Sequence, residues 1–375
     1  MYKVVILQHR LLHYRMPLFE QLRAKCLTSD IDLHLVHGQP TRRELPKKDV
    51  GYIEWANTVT NYILEVGARD WLWQPLPHSL KNADLVIVMQ ESRLLSNYPL
   101  LLNRLWSKRK VAYWGHGVNF QSDKPDGFKE KWKKLLINKV DWWFAYTQLT
   151  VDILSKSGYP SHQITCLNNA IDTHSFKQQL LEVSDNELSE ERKLLDIEKD
   201  APVGIFCGSL YPEKKLDFLV AAIDLIKEQS PLFHCIFLGD GPSMPYLKEA
   251  TLTRPWLHLL GVTKGTKKAL YFRMADFMLN PGLVGLHIVD AFCAGLVMTT
   301  TTGALHSPEI AYLKPGINGI MTEDNVEIYA NAVLSLINDK KTLAEYKANS
   351  LASADEYSLE NMVDNFMAGI NKCLK

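Results

Sequence analysis

Two successive series of short apolar runs, alternating with amphipathic segments, predict an α/β protein with two doubly wound parallel-sheet domains. Three observations carry this prediction. The runs are nearly continuous in apolar, β-branched and aromatic residues, as strands covered on both faces require. The alternation pauses once, over a mostly charged stretch at residues 173–200, and then restarts. The chain has 375 residues, enough for two hydrophobic cores of ordinary size.

In the first half the predicted strands are "YKVVILQ", "IDLHLVHG", "ADLVIVMQ", "RKVAYWGHG" and "VDWWFAYT". Between them "YRMPLFEQLRAKCL" and "SRLLSNYPLLLNRLWSK" read as helices; Pro17 is acceptable near a helix start. In the second half the strand-like runs are "PVGIFCGSL", "FHCIFLGDG", "HLLGV", "ADFMLNPG", "GLVMTTT" and "NGIMTE". The helical segments are "KKLDFLVAAIDLIKEQ", "TKKALYFRM", "VEIYANAVLSLIND" and "KTLAEYKANSLAS", with a last amphipathic helix in "SLENMVDNFMAGINKCLK". The expected organisation is a first Rossmann-like domain at 1–170, a linker region at 171–200, a second Rossmann-like domain at 201–355 and a terminal helix at 356–375. Ligands of such folds bind beyond the carboxyl ends of the strands, so the expected site is a cleft between the domains.

Composition narrows the function classes. Apolar residues make up 46%, and 42 basic residues balance 42 acidic ones. That is a soluble globular composition, and its neutral total weighs against a dedicated nucleic-acid binder. The six cysteines are scattered with no CxxC pair, which points to a reducing cytoplasm and no structural zinc. The first apolar run is too short for a signal peptide, and no stretch of about 20 apolar residues would span a membrane.

The candidate chemistry lies at strand ends. In "FCGSLYPEKKLDF" a strand ends near Gly208 and Ser209, and Lys214 and Lys215 stand at a helix entry. A lysine there opposes the helix dipole unless an anion occupies that end; otherwise it faces water. "FLGDGPS" repeats the turn at Gly239, but no strand is followed by GxGxxG or GxxxxGK[ST]. In "NPGLVGLHIVDAFCAG" Gly282 turns the chain, and Leu283, Val284, Gly285 and Leu286 lead into a helix. Their amides could hold a diphosphate together with Lys214. Asp290 would then accept hydrogen bonds from sugar hydroxyls, or else bind a neighbouring loop. Glu309 sits near another helix start. His116, between two glycines after a strand, either donates to a substrate or packs in its loop; His13, Tyr14 and Arg15 point to the same mouth. His9 and His13 lack a third ligand, so no metal site is read.

"FKEKWKKLLINKVDWWFAY", at 128–143 and just beyond, interleaves lysines with Trp132, Trp142 and Trp143. It suits an anionic membrane surface, a solvated helix followed by a buried strand, or single-stranded nucleic acid.

Over nearly the whole chain, and most strongly over 201–325, these residues resemble the retaining nucleotide-sugar glycosyltransferases of family 4, whose GT-B fold has two facing Rossmann-like domains. "GSLYPEKKLDFLVAAI", "FLGDGP", "ADFMLNPGLVGLHIVDAFCAGLVMTT" and "PGINGI" follow that family's order and spacing, and "HYRMPLFEQL" and "NNAIDTHSF" are similar to its first half. The resemblance departs at two points. Ser209 stands where an arginine is usual. Gly282 and Asp290 occupy the positions of two signature glutamates, as in a family branch with a PGLVGL-like run.

The resemblance implies a UDP- or GDP-sugar donor; no metal is needed if Lys214 and the helix amides supply the charge, and no paired aspartates offer a site for one. The resemblance places Lys214 at the diphosphate, Asp290 at the ribose, Glu309 loosely near the donor, and His116 at the sugar site, and it has the terminal helix at 356–375 crossing back to the first domain. It also implies retention of anomeric configuration, with a saccharide acceptor that is lipid-linked if the lysine-tryptophan face meets the inner side of the cell membrane. That would fit bacterial surface-polysaccharide assembly. An inverting transferase, a nucleotide-sugar epimerase of the same fold, or a non-catalytic protein that binds a sugar nucleotide or a partner protein are the alternatives.

Overall fold

The computed structural model describes residues 1–45, 49–67, 69–104, 106–117 and 136–375. The chain forms two compact units, residues 1–172 with 359–375, and residues 173–358.

The first unit begins with β1 (Tyr2–Arg10), α1 (Met16–Leu27), β2 (Ile31–Gly38) and β3 (Asn57–Thr58). The antiparallel hairpin β4 (Tyr62–Val66) and β5 (Arg69–Trp73) follows. Next come β6 (Leu85–Met89), α2 (Asn97–Asn103), β7 (Lys110–Gly115), β8 (Trp142–Ala145), α3 (Gln148–Lys156) and β9 (Ile164–Cys166). Among the described residues, seven of these strands form one parallel sheet in the order β3-β2-β1-β6-β7-β8-β9. Val4, Val5 and Ile6 are fully buried, so consecutive residues of β1 are covered on both faces and the continuous apolar run is explained.

The helix expected over 92–108 shrinks to α2. Pro99 lacks an N–H and is tolerated only in a first turn, so the helix begins at Asn97 and residues before it turn instead. The reading of Trp142 and Trp143 as membrane-facing is overturned: they are 6% and 0% exposed in β8, and their indole N–H groups donate to the Thr165 hydroxyl and the Ile137 carbonyl. Trp132 and the lysines at 129–134 lie outside the described residues.

The second unit opens with α4 (Thr173–Glu182) and α5 (Asp185–Leu194), the latter started by a Ser184–Glu187 capping box. Phe176 of α4 packs edge-on against Phe272 of a later helix, at 5.3 Å between centroids, so this charged stretch is helical and docked. The sheet then follows: β10 (Val203–Cys207), α6 (Leu216–Gln229), β11 (His234–Leu238), α7 (Met244–Thr251), β12 (Leu257–Gly261), α8 (Gly265–Met274) and β13 (Phe277–Leu279). After it come α9 (His287–Cys293), β14 (Val297–Thr301), β15 (Gly319–Thr322), α10 (Val326–Asn338) and α11 (Lys340–Glu356). The parallel order is β12-β11-β10-β13-β14-β15. Strand order reverses between β10 and β13, and the loops leaving their carboxyl ends flank the crevice where α/β sheets take ligands.

The last helix, α12 (Leu359–Leu374), belongs to the first unit. Its Phe366 stacks on Phe144 at 4.7 Å and meets Trp114 edge-on at 5.1 Å.

Candidate functional site

The loop after β10 and the loop after β13 are stitched together at the switch point of the second sheet. Lys214 ends a short 3₁₀ turn (Pro212–Lys214), and Lys215 adopts a left-handed conformation, φ 52°, that starts α6. Gly282 is buried against that turn: a Cβ at this position would fall on the Glu213 carbonyl and the Lys214 backbone. The Leu283 N–H donates to the Glu213 carbonyl at 3.0 Å, and the Lys214 ammonium donates back to the Leu283 carbonyl. Gly239 plays the same spacing role opposite Gly208, since a Cβ there would collide with the Gly208 carbonyl.

Two neutral imidazoles fix the rest of the loop. The His306 ring accepts from the Val284 N–H at 3.2 Å, and its other nitrogen lies 2.7 Å from the Thr301 carbonyl, which makes that nitrogen the donor. Asn280 shares its amide N–H groups between the Leu283 carbonyl at 2.9 Å and the His287 ring at 3.1 Å. Burial, with Lys214, Lys268 and His306 nearby, pushes His287 well below its usual range. Burial likewise lowers His306.

The charges gather here. Lys214 is 8% exposed, and burial pulls its ammonium down to about 8. Asp290 is 7% exposed and pairs with Lys268 of α8 at 2.8 Å. Burial alone would lower Lys268, but Asp290 outweighs it and raises the ammonium. Cys207, at the end of β10, feels Lys268, Asp290 and Lys214, and burial pushes its thiol up to about 11. Lys215 turns away to Asp324 at 2.7 Å.

Several expected contacts take another form. The helix begins at His287 rather than in the preceding loop. The Leu283 and Val284 amides have protein acceptors; those of Gly285 and Leu286 have none among the described residues. Asp290 is held by a lysine 22 positions away, not by a loop backbone. Gly208 donates to the Leu238 carbonyl, Ser209 is exposed, and Glu309 is buried in a 3₁₀ turn whose preceding Ser307 N–H is tied to the Val284 carbonyl. Lys268, His287, His306 and Asn280 escaped the sequence reading.

In the first unit, Tyr14, Arg15 and His116 meet around Tyr146 and Trp114. The Arg15 guanidinium lies 4.4 Å over the Trp114 ring and donates to the Tyr146 hydroxyl at 2.9 Å, the Tyr14 hydroxyl at 3.2 Å and the Gln8 side-chain oxygen at 3.2 Å. Burial opposes its charge, but the two tyrosines more than offset this and raise it. His116 stands edge-on to Tyr146 at 5.9 Å. His13 is exposed and faces the Asp49 carbonyl at 3.3 Å. Beside them, at the switch between β1 and β6, Glu44 binds His9 at 3.1 Å and Arg93 at 2.9 Å, and Arg93 also binds Glu91 at 2.7 Å. No group of three or more potential metal ligands occurs among the described residues.

Comparison with known proteins agrees with this architecture. Residues 201–339 match the family model "Glycosyl transferases group 1". An uncharacterized glycosyltransferase of Methanocaldococcus jannaschii is 28% identical over 182 residues, which cover 46% of this chain and about half, 48%, of that protein. Among solved structures, Anabaena HepE in complex with UDP superposes with a TM-score of 0.70 at 16% identity, covering 99% of this chain and 100% of that one. A glycosyltransferase from Rickettsia africae gives 0.72 at 14% identity, covering 100% and 99%. The chain thus has the GT-B fold of two Rossmann-like parallel-sheet domains, and its second domain matches the glycosyl transferases group 1 family.

Proposed function

We propose that this chain is a glycosyltransferase that takes its sugar from a nucleotide-diphosphate donor bound on the second unit. The observation that carries this is the arrangement at the β10–β13 switch point. The buried ammonium of Lys214, the half-buried Lys268 paired with Asp290, and the open amides of Gly285 and Leu286 lie where one loop is locked onto another. Such a set suits a diphosphate, and the match over residues 201–339 supports the same reading.

As the bond between sugar C1 and the phosphate oxygen breaks, negative charge grows on the leaving diphosphate. Lys214 and the amides stabilise that charge, in the role a metal ion fills elsewhere. Asp290, positioned by Lys268, accepts from the ribose hydroxyls, with Gly208, Ser209, Gly239 and Glu309 around the nucleotide. Tyr14, Arg15, His13 and His116 present the acceptor, a saccharide. Transfer retains configuration: the acceptor hydroxyl attacks C1 on the face the phosphate leaves, and a phosphate oxygen takes its proton. A lipid-diphosphate-linked acceptor, in bacterial surface-polysaccharide assembly at the inner face of the membrane, completes the reading.

The test is incubation of the protein with a panel of UDP-, GDP- and dTDP-sugars and saccharide acceptors. Release of nucleoside diphosphate with a product of unchanged anomeric configuration by proton NMR is expected. An inverted product contradicts retention; donor epimerised without acceptor contradicts transfer.

A further inference from the structure

We propose that the outward face of the β4–β5 hairpin is a docking surface for an anionic lipid bilayer. The inference does not rest on the transferase reading, because it concerns a face built from different residues.

The register sets the face. Tyr62 pairs with Trp73, Leu64 with Trp71 and Val66 with Arg69, and in a two-residue repeat these six side chains share one side of the ribbon. Tyr62, Leu64, Val66 and Trp73 are 67%, 62%, 55% and 44% exposed, Trp71 is half-buried and Arg69 is exposed. The other side carries Ile63, Glu65, Asp70 and Leu72. Leu72 is fully buried in the core of the first unit with Ile63 packed against it, and Asp70 is buried and paired with Arg43 at 3.3 Å. The ribbon is therefore anchored through its inner face, and presents aromatic and aliphatic groups where water would favour polar ones. The cation Arg69 is the one charged residue on that outer face, among the described residues.

The chemistry of the face selects its occupant. Five paired residues in two strands make a strip about 17 Å long and about 10 Å wide, far below the roughly 800 Å² per partner of a stable protein interface. A bilayer interface sets no such minimum. Tryptophan and tyrosine sit at headgroup depth with their apolar bodies inward. The cationic end matches anionic headgroups: Arg69 stands beside the hairpin turn and Arg42 is exposed. Arg43, which reaches the Gly67 carbonyl, is matched by Asp70, and the exposed Glu65 belongs to the opposite face of the ribbon. Apolar strip and basic tip lie on one element, the pairing that shallow insertion requires.

The experiment is co-sedimentation of the full-length protein with vesicles of phosphatidylcholine alone, and of phosphatidylcholine mixed with phosphatidylglycerol, over a range of salt. The wild type is expected to bind the anionic vesicles, less as salt rises, and to bind the neutral ones weakly. Tyr62→Ser/Leu64→Ser/Trp73→Ser should lower anionic-vesicle affinity by about tenfold or more, and Arg69→Glu by several-fold, with the circular-dichroism spectrum unchanged. If the triple variant fails to fold, Leu64→Asp alone replaces it, since that side chain points to solvent. The proposal is overturned if the wild type ignores anionic vesicles or if the variants bind them equally. It is also overturned if the face instead holds two copies together, seen as concentration-dependent dimers in sedimentation velocity that the triple variant abolishes.

Discussion

Lys214 is a buried cation whose charge is disfavoured by its surroundings, and this gives the donor site a pH signature. In the free protein burial brings its ammonium down to about 8, whereas a bound diphosphate favours the protonated form. Affinity for a nucleoside diphosphate should therefore be full below pH 8. It should fall as pH rises through 8, approaching about tenfold per pH unit until the higher pKa of the complex is reached. Calorimetric titrations between pH 6.5 and 9.5, about the range that brackets this group, will show the fall in wild type and a flatter curve in Lys214→Met. At this scale the sequence was partly legible. Lys214 and Asp290 stood out because each is a charge at a strand-to-helix turn. Lys268 did not: on its own helix it is one lysine beside another, and only the fold brings it to Asp290. His287 and His306 were silent for the same reason, since their hydrogen-bond partners lie in other turns.

At the scale of elements, the two loops at the β10–β13 switch point behave as one piece because Gly282 has no side chain. Gly282→Ala places a methyl group on the backbone of Glu213 and Lys214, so the 3₁₀ turn must move. A destabilisation of about 1–3 kcal/mol is expected in urea unfolding, with a loss of nucleotide affinity close to that of Lys214→Ala. The same glycine explains why a glutamate cannot stand here without a different turn. Most strands were legible from their runs: "IDLHLVHG" is β2, and "PVGIFCGSL" contains β10. The β4–β5 hairpin was not. Its segment "YILEVGARDWLW" carries apolar and charged residues on both sides, so neither alternation nor a tight Asn-Gly turn marks it, and its inner face is defined only by contact with the core. The tryptophans of "VDWWFAY" were ambiguous because a buried parallel strand and a membrane-seeking patch share that composition.

For the whole molecule, the two series of alternating runs were sufficient for the fold class, because parallel strands covered on both faces leave a continuous apolar record. Which unit the last helix joins was not readable from its own residues, since its apolar stripe fits either sheet; only the family resemblance pointed to the first domain. The structure gives α12 to the first unit, where Leu359, Met362, Val363, Phe366, Met367, Ile370 and Cys373 are buried. At about 1.5–3 kcal/mol per large buried side chain, this contribution is on the order of 10 kcal/mol, comparable with the whole stability of a domain. A chain ending at residue 358 should therefore lose the first unit's cooperative unfolding transition while residues 173–358 stay protease-resistant, which limited proteolysis with mass spectrometry will read.

The most direct test of the donor site is calorimetric titration of the purified protein with UDP, GDP, dTDP and their sugar conjugates, with and without magnesium. Micromolar binding of one nucleotide is expected, independent of magnesium and weakened about tenfold or more by Lys214→Ala and by Asp290→Ala. Absence of binding by every nucleotide, or binding that both variants leave intact, would contradict the assignment of these residues to a nucleotide-diphosphate site.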